Sequence, residues 1–209
     1  MERVIGMHSL RQTVKCEWIV EKSRFLGFLA PAGTMAEVEA FVSARRAEHP
    51  GARHVCWACR LSSQELAERA SDDGEPQKTA GVPMLEVMKK ADLADVVAVV
   101  VRYFGGIKLG SGGLIRAYGN AVRGCLDGAS LTSPVSFTEV RVRTDLSMAG
   151  KVEGILRQSG EPGIPVYGEE ALFPFVCETE KLPEILEEIR KKTASAPKAE
   201  TVRTFLRFR

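Results

Sequence analysis

Residues 96–103 read Val-Val-Ala-Val-Val-Val-Arg-Tyr, an apolar run with no alternation of polar positions. Side chains on a strand point to opposite faces in turn, so such a run is apolar on both faces and belongs at the centre of a covered sheet. The strand leads directly into Phe104-Gly105-Gly106-Ile107-Lys108-Leu109-Gly110-Ser111-Gly112-Gly113. The spacing of Leu114, Ile115, Tyr118, Val122 and Leu126 then predicts a helix over 111–126 with these residues inward.

A strand, a glycine loop and a helix start in succession suit anion binding. Glycines let backbone N–H groups approach an oxyanion, and the helix dipole favours negative charge there. Between Val96 and Leu126 there is no Asp or Glu, while Arg102, Lys108, Arg116 and Arg123 are all cationic, in a chain with 27 acidic residues. The candidate phosphate- or nucleic-acid-binding set is therefore Arg102, Gly105, Gly106, Lys108, Gly110, Ser111, Gly112, Gly113 and Arg116. No standard nucleotide fingerprint fits. Gly105 and Gly110 have the outer spacing of a P-loop, but Ser111-Gly112 stands where Lys followed by Ser or Thr is required, and Gly110–Ile115 fails the dinucleotide pattern at its last position. The competing reading is that these glycines serve tight turns and close helix packing.

Around this crossing, residues 14–20, 24–30 and 54–61 read as strands. Thr34 precedes a helix bearing Val38, Phe41 and Val42, and Thr79 is a candidate cap for one bearing Met84, Leu85 and Met88. Residues 127–136 form a polar break containing Gly and Pro. Beyond it, residues 137–143 read as a strand. A helix follows with Asp145 as cap, Val152, Ile155 and Leu156 inward and Gly160 at its end. Strands over 164–167 and 171–178, a helix with Leu182, Ile185, Leu186 and Ile189 on one side, and a strand over 201–208 complete the half. In that last strand Val202, Thr204, Leu206 and Phe208 share a face. The order β-α-β-β-α-β is that of a ferredoxin-like split βαβ.

Composition bounds the function classes. Hydrophobic residues at 44% and charged residues at 27% support a packed core and exclude wholesale disorder. The 29 Lys and Arg nearly cancel the acidic residues, so any pull toward nucleic acid or anionic lipid must come from a local patch. Met1–Leu10 lacks the apolar core of a secretory signal, and no run is long enough to span a bilayer. The five cysteines are odd in number and scattered, which fits a reducing cytoplasm better than a disulfide framework. Cys56 and Cys59 form a Cys-x-x-Cys inside a strand-like stretch, where residues three apart face opposite ways. His54 and Cys56 share a face but are too few for structural zinc, so core packing is the better reading.

Ser71-Asp72-Asp73-Gly74-Glu75-Pro76 is a candidate acidic site. Asp72, Asp73 and Glu75 have the chemistry to hold magnesium or supply a general base. An Asx-type turn explains the same composition.

These residues together identify a family. The chain resembles the IMPACT/YigZ proteins over nearly its whole length. The resemblance lies in Ser23-Arg24-Phe25, in Ala52-Arg53-His54-Val55-Cys56-Trp57-Ala58, and in residues 71–76 followed by Thr79-Ala80-Gly81. It is strongest over residues 99–110, continued by Gly112-Gly113-Leu114 and Arg116-Ala117-Tyr118. The resemblance implies an α+β protein. An IMPACT domain resembling the second domain of ribosomal protein S5 would cover 1–130, and a YigZ-type ferredoxin-like domain, similar to late domains of translocation GTPases, would cover 136–209. Eukaryotic members are regarded as translational regulators that dampen a starvation-responsive kinase acting on an initiation factor, by competing for its activator. Bacteria lack that kinase, and for bacterial members nucleic-acid or ribosome association is the usual inference. One departure is Gln77-Lys78, where many relatives have a small residue and glycine; Lys78 offers a further phosphate contact.

The expectation is a non-enzymatic, cytoplasmic, translation-associated regulator without cofactor, metal or membrane partner. It would bind RNA, the ribosome or a translation factor through the basic glycine-rich loop. The rival is an enzyme or binding protein for a phosphorylated small molecule or nucleotide, using the same loop with Asp72, Asp73 and Glu75. The S5-like fold also hosts small-molecule kinases, although fold does not fix function. A protein–protein adaptor is a third reading.

Overall fold

A computed structural model describes residues 7–62, 67–193 and 197–208. Met1–Gly6, part of the segment read above for a secretory signal, lie outside the described residues. Among the described residues no helix is long and apolar enough to cross a membrane. The chain divides into two compact units, with the boundary between Ser133 and Pro134.

The first unit contains β1 (Ser9–Leu10), β2 (Val14–Val20), β3 (Ser23–Pro31), α1 (Met35–Glu48), β4 (His54–Leu61), β5 (Ala67–Ser71), α2 (Gly81–Lys90), β6 (Val96–Tyr103), α3 (Gly110–Asp127) and β7 (Leu131–Thr132). β2-β3-β6-β4-β5 form one antiparallel sheet, and β1 pairs with β7 in a separate two-stranded ladder. β6 takes the middle place, as its composition requires. Val97, Val99 and Val101 pack with Val38 of α1, whereas Val96, Ala98 and Val100 pack with Met84 and Met88 of α2 and with Tyr118 and Val122 of α3. Each buried valine contributes roughly 1.5–3 kcal/mol relative to exposure.

Local signals set the element ends. Thr34 and Glu37 form a reciprocal capping box at the start of α1. Glu21 and Lys22, both in the left-handed region, make the two-residue turn that joins β2 to β3.

Several expectations are corrected. Thr79 does not cap α2; its hydroxyl donates to the Pro76 carbonyl, and the first N–H groups of α2 are taken by Asp72. α3 begins at Gly110, and Ile115 is 43% exposed because it lies one position round the helix from the buried Leu114. The polar strand β5 pairs with β4 although Ala67–Ser71 has no apolar pattern. The break at 127–136 contains β7 and the first residues of the next strand.

The second unit contains β8 (Pro134–Asp145), α4 (Ala149–Ser159), β9 (Glu161–Pro162), β10 (Val166–Tyr167), β11 (Glu170–Glu178), α5 (Leu182–Thr193) and β12 (Lys198–Phe208). The sheet order β10-β11-β8-β12 places β11 antiparallel between β8 and β10, the split βαβ arrangement. β9 adds a short pairing to β11. Val140, Val142, Phe173 and Phe175 alternate inward and pack with Ile155 of α4 and Ile189 of α5. Asp145 makes no side-chain cap; a single 3-10 turn, Leu146–Met148, intervenes before α4. The strand expected over 164–167 is confined to Val166–Tyr167, and Ile164 is exposed.

Candidate functional site

β4 and β6 run antiparallel with His54 opposite Arg102, so the start of β4 and the end of β6 meet at one edge of the first unit. The glycine loop leaves β6 at that edge and delivers the start of α3 beside it. A cleft of about 860 Å³ opens there, lined among others by Arg53, His54, Glu75, Arg102, Lys108 and Ser111. Of the carboxylate turn, Glu75 and Pro76 reach this cleft beside the helix start, and Asp72 and Asp73 do not line it.

Arg102 is the last residue on the α2/α3 face of β6. It is buried, and its guanidinium lies over the rings of Phe25 and Phe104. Its Nη1 donates to Glu75 Oε1 at 2.7 Å, and the Tyr118 hydroxyl donates to the same oxygen at 2.8 Å. Cys56 Sγ reaches Tyr118 Oη at 3.3 Å and the Asp72 carbonyl at 3.0 Å. Burial pushes the Cys56 thiol up to about 12 and raises the Tyr118 phenol well above its ordinary value, so both stay protonated. Arg102, expected as a phosphate ligand, is thus held by an internal carboxylate.

The other carboxylates are likewise engaged. Asp72 Oδ1 accepts from the N–H groups of Ala80 and Gly81, and its Oδ2 accepts from Lys78 N, so the side chain caps α2. Asp73 Oδ2 accepts from Val55 N and its Oδ1 from Arg46. His54 Nδ1 donates to the Asp73 carbonyl at 2.8 Å, which leaves Nε2 as an acceptor in the neutral ring. Among the described residues no group of three His, Cys, Asp or Glu side chains is arranged to hold a metal ion. The turn itself closes through Glu75 N donating to the Asp72 carbonyl and Asp73 N donating to Ser71 Oγ, not through Asx-type bonds of Asp72 or Asp73, and Glu75 adds the ion pair.

The glycines divide by role. Gly105 is structural: an added Cβ would lie 2.0 Å from the Lys22 carbonyl carbon, and its N–H donates to Ser23 Oγ. Gly106 and Gly110 adopt left-handed backbone in open space, and Gly113 packs against Leu109. The start of α3 has no side-chain cap and no acidic residue in its first turn, whereas at α2, equally without a first-turn acid, Asp72 reaches in from outside the helix. Gly110 and Ser111 line the cleft; Gly112 is exposed beside Arg116.

Lys108 and Arg116 are exposed and form no ion pair with a described residue. Arg116 does not reach the cleft. It lies with Lys108 in a second groove of about 510 Å³, beside Trp18 and Ile107. Arg116 also borders a third groove between α2 and α3, of about 340 Å³, with Lys78, Lys90 and Arg123. Lys108 is thus common to the first two grooves and Arg116 to the last two. Arg53 and His54 stand outside the phosphate-binding candidates, and the signal that could have placed them is the 52–58 stretch that carries the family resemblance. Cys56 and Cys59 lie in the two opposite core clusters, as their spacing on a strand requires.

The Impact N-terminal domain matches residues 21–126, which contain β3 to β6 of the sheet, the cleft lining and all but the last residue of α3. The chain is 42% identical over 151 residues to the IMPACT family member YvyE of Bacillus subtilis, covering 72% of this chain and 70% of that protein. It is 39% identical over 141 residues to the IMPACT family member YigZ of Escherichia coli, covering 66% and 69%. A crystal structure described as that of a hypothetical protein superposes with a TM-score of 0.82 at 32% identity, covering 94% of this chain and 97% of that one. With its cleft and glycine crossing inside the matched segment, the chain belongs to the IMPACT family.

Proposed function

We propose that the protein is a non-enzymatic, translation-associated binding protein that takes RNA, free or in the ribosome, along the grooves surrounding the start of α3. The observation that carries this reading is the sharing of Lys108 and Arg116 between successive grooves. A polyanion following that path meets cations repeatedly, and among the described residues Lys108 and Arg116 have no carboxylate partner to give up. Phosphate contacts of this kind provide affinity without sequence preference. The uncapped N–H groups at the start of α3 add backbone donors, and the half-exposed Trp18 offers a ring face for an unstacked base. The translation setting rests on the family resemblance. The test is co-sedimentation with ribosomes, comparing the native chain with Lys108→Glu plus Arg116→Glu. The double variant is expected to remain in the supernatant; unchanged association would remove the grooves from the account.

A second reading has its own support in the size of the cleft. About 860 Å³ lies within the range of small-molecule sites, and Arg53, Lys108 and Ser111 surround it with donors. A phosphorylated small molecule or nucleotide would then be the ligand. Thermal shift against nucleotides with and without magnesium separates the readings, since only a site built for them gives a nucleotide-specific rise.

A further inference from the structure

Cys16 stands on the edge strand β2 and Cys125 near the end of α3, yet the Cys125 thiol donates to Cys16 Sγ at 3.0 Å. Cys16 also donates to the Ala121 carbonyl at 2.7 Å. Both are thiols, Cys16 half-buried and Cys125 buried. The room for two sulfurs is made by Gly27 on β3, where an added Cβ would come within 2.9 Å of Cys16 Sγ and 3.1 Å of Cys125 Sγ. The other cysteines have no sulfhydryl neighbour among the described contacts: Cys56 bonds to Tyr118 and Asp72, Cys59 touches Met35, and Cys177 is buried in the second unit.

The two sulfurs are chemically unequal. The hydrogen bond from Cys125 holds the Cys16 thiol below its ordinary pKa, whereas the same bond and burial push Cys125 up. The more exposed sulfur is therefore the better nucleophile, and the buried one is placed to resolve its oxidation product.

We propose that Cys16 and Cys125 form a thiol-oxidation site, which a hydroperoxide converts into an intramolecular disulfide joining β2 to α3. In the first step the Cys16 sulfur attacks the peroxide: an S–O bond forms, the O–O bond breaks, and the departing alkoxide or hydroxide takes the thiol proton to leave as alcohol or water. Cys16 is then a sulfenic acid. In the second step the Cys125 sulfur attacks the Cys16 sulfur. The S–S bond forms, the S–O bond breaks, and the hydroxide leaves as water with the Cys125 proton. The two thiols lose two electrons in total and the peroxide gains them; a dithiol reductant reverses the change by exchange.

The experiment treats the reduced full chain with equimolar hydrogen peroxide, followed by intact mass measurement and non-reducing peptide mapping. The expected result is a loss of two hydrogens in mass and a single linked peptide pair, Cys16 with Cys125. Cys125→Ser should abolish the link and accumulate a sulfenic acid on Cys16 that dimedone captures. Cys16→Ser should abolish both. Oxidation spread over Cys56, Cys59 and Cys177, or Cys16 advancing to sulfinic acid in the native chain with no linked pair, would overturn the proposal. The native-chain map decides the matter even where a variant fails to fold.

Discussion

Arg102 Nη1 lies 2.7 Å from Glu75 Oε1 with side chains only 9% and 3% exposed, so the cation at the end of β6 neutralises the acidic turn from within. Removing one member of such a pair leaves an uncompensated buried charge, at a cost of about 3–5 kcal/mol. Glu75→Ala is expected to lose that much in urea unfolding, and the Glu75→Ala, Arg102→Ala double variant less than the sum of the singles. Strict additivity would show that the pair does not interact in solution.

Asp72 caps α2 from nine residues upstream, accepting from Ala80 N and Gly81 N at the helix start and from Lys78 N in the loop before it. Loss of an ordinary cap costs about 1 kcal/mol. Asp72→Ala should exceed that and exceed Thr34→Ala, the loss of a conventional capping box, in the same denaturation assay.

Gly105 and Gly106 separate two kinds of glycine requirement. Ala at 105 would collide with the backbone of Lys22 and Ser23, whereas Ala at 106 meets open space at φ +92. Gly106→Ala should cost about 1–2 kcal/mol through backbone strain. Gly105→Ala should cost about 3 kcal/mol or more, read as a lower urea midpoint or loss of folded protein.

On the proposed RNA reading, binding should fall with salt, and each phosphate contact removed should flatten the log–log slope by about 0.7 for a single strand. Lys108→Ala with Arg116→Ala should therefore reduce it by about 1.4. Fluorescence titration of a labelled oligoribonucleotide across a salt series checks this; a parallel line for the variant would count against both contacts.

Cys56 is held at about 12 against an ordinary 9.0 by burial. Its folded pKa is the higher, so the unfolded chain releases the proton first and stability falls as pH rises from 9 toward 12. The loss from this one thiol is about 2 kcal/mol at a pH of about 10.5. Tyr118 contributes in the same direction. Urea midpoints between pH 8 and 10.5 should drop, and Cys56→Ala should drop less steeply from its own starting value.

The parts of this molecule written in nearest-neighbour pattern were legible beforehand. The unbroken apolar run gave β6 its central place, Thr34 marked the start of α1, and the spacing of Leu182, Ile185, Leu186 and Ile189 placed α5. What escaped is long-range or polar. β5 pairs through its backbone and has no apolar face to reveal it. The Arg102–Glu75 bond spans 27 residues and the Cys125–Cys16 contact 109, so charge and composition alone assigned Arg102 to a phosphate and left the cysteines scattered. Acidic depletion pointed to the cations around α3, and the structure spreads Lys108, ahead of the helix, and Arg116 and Arg123, on it, over three grooves that share residues.

The backbone-to-backbone seat of Gly105 on the β2–β3 turn has a mechanical consequence. With no side chain between them, no rotamer change can widen that gap, and the height at which the loop crosses the hairpin is fixed by the thickness of two backbones.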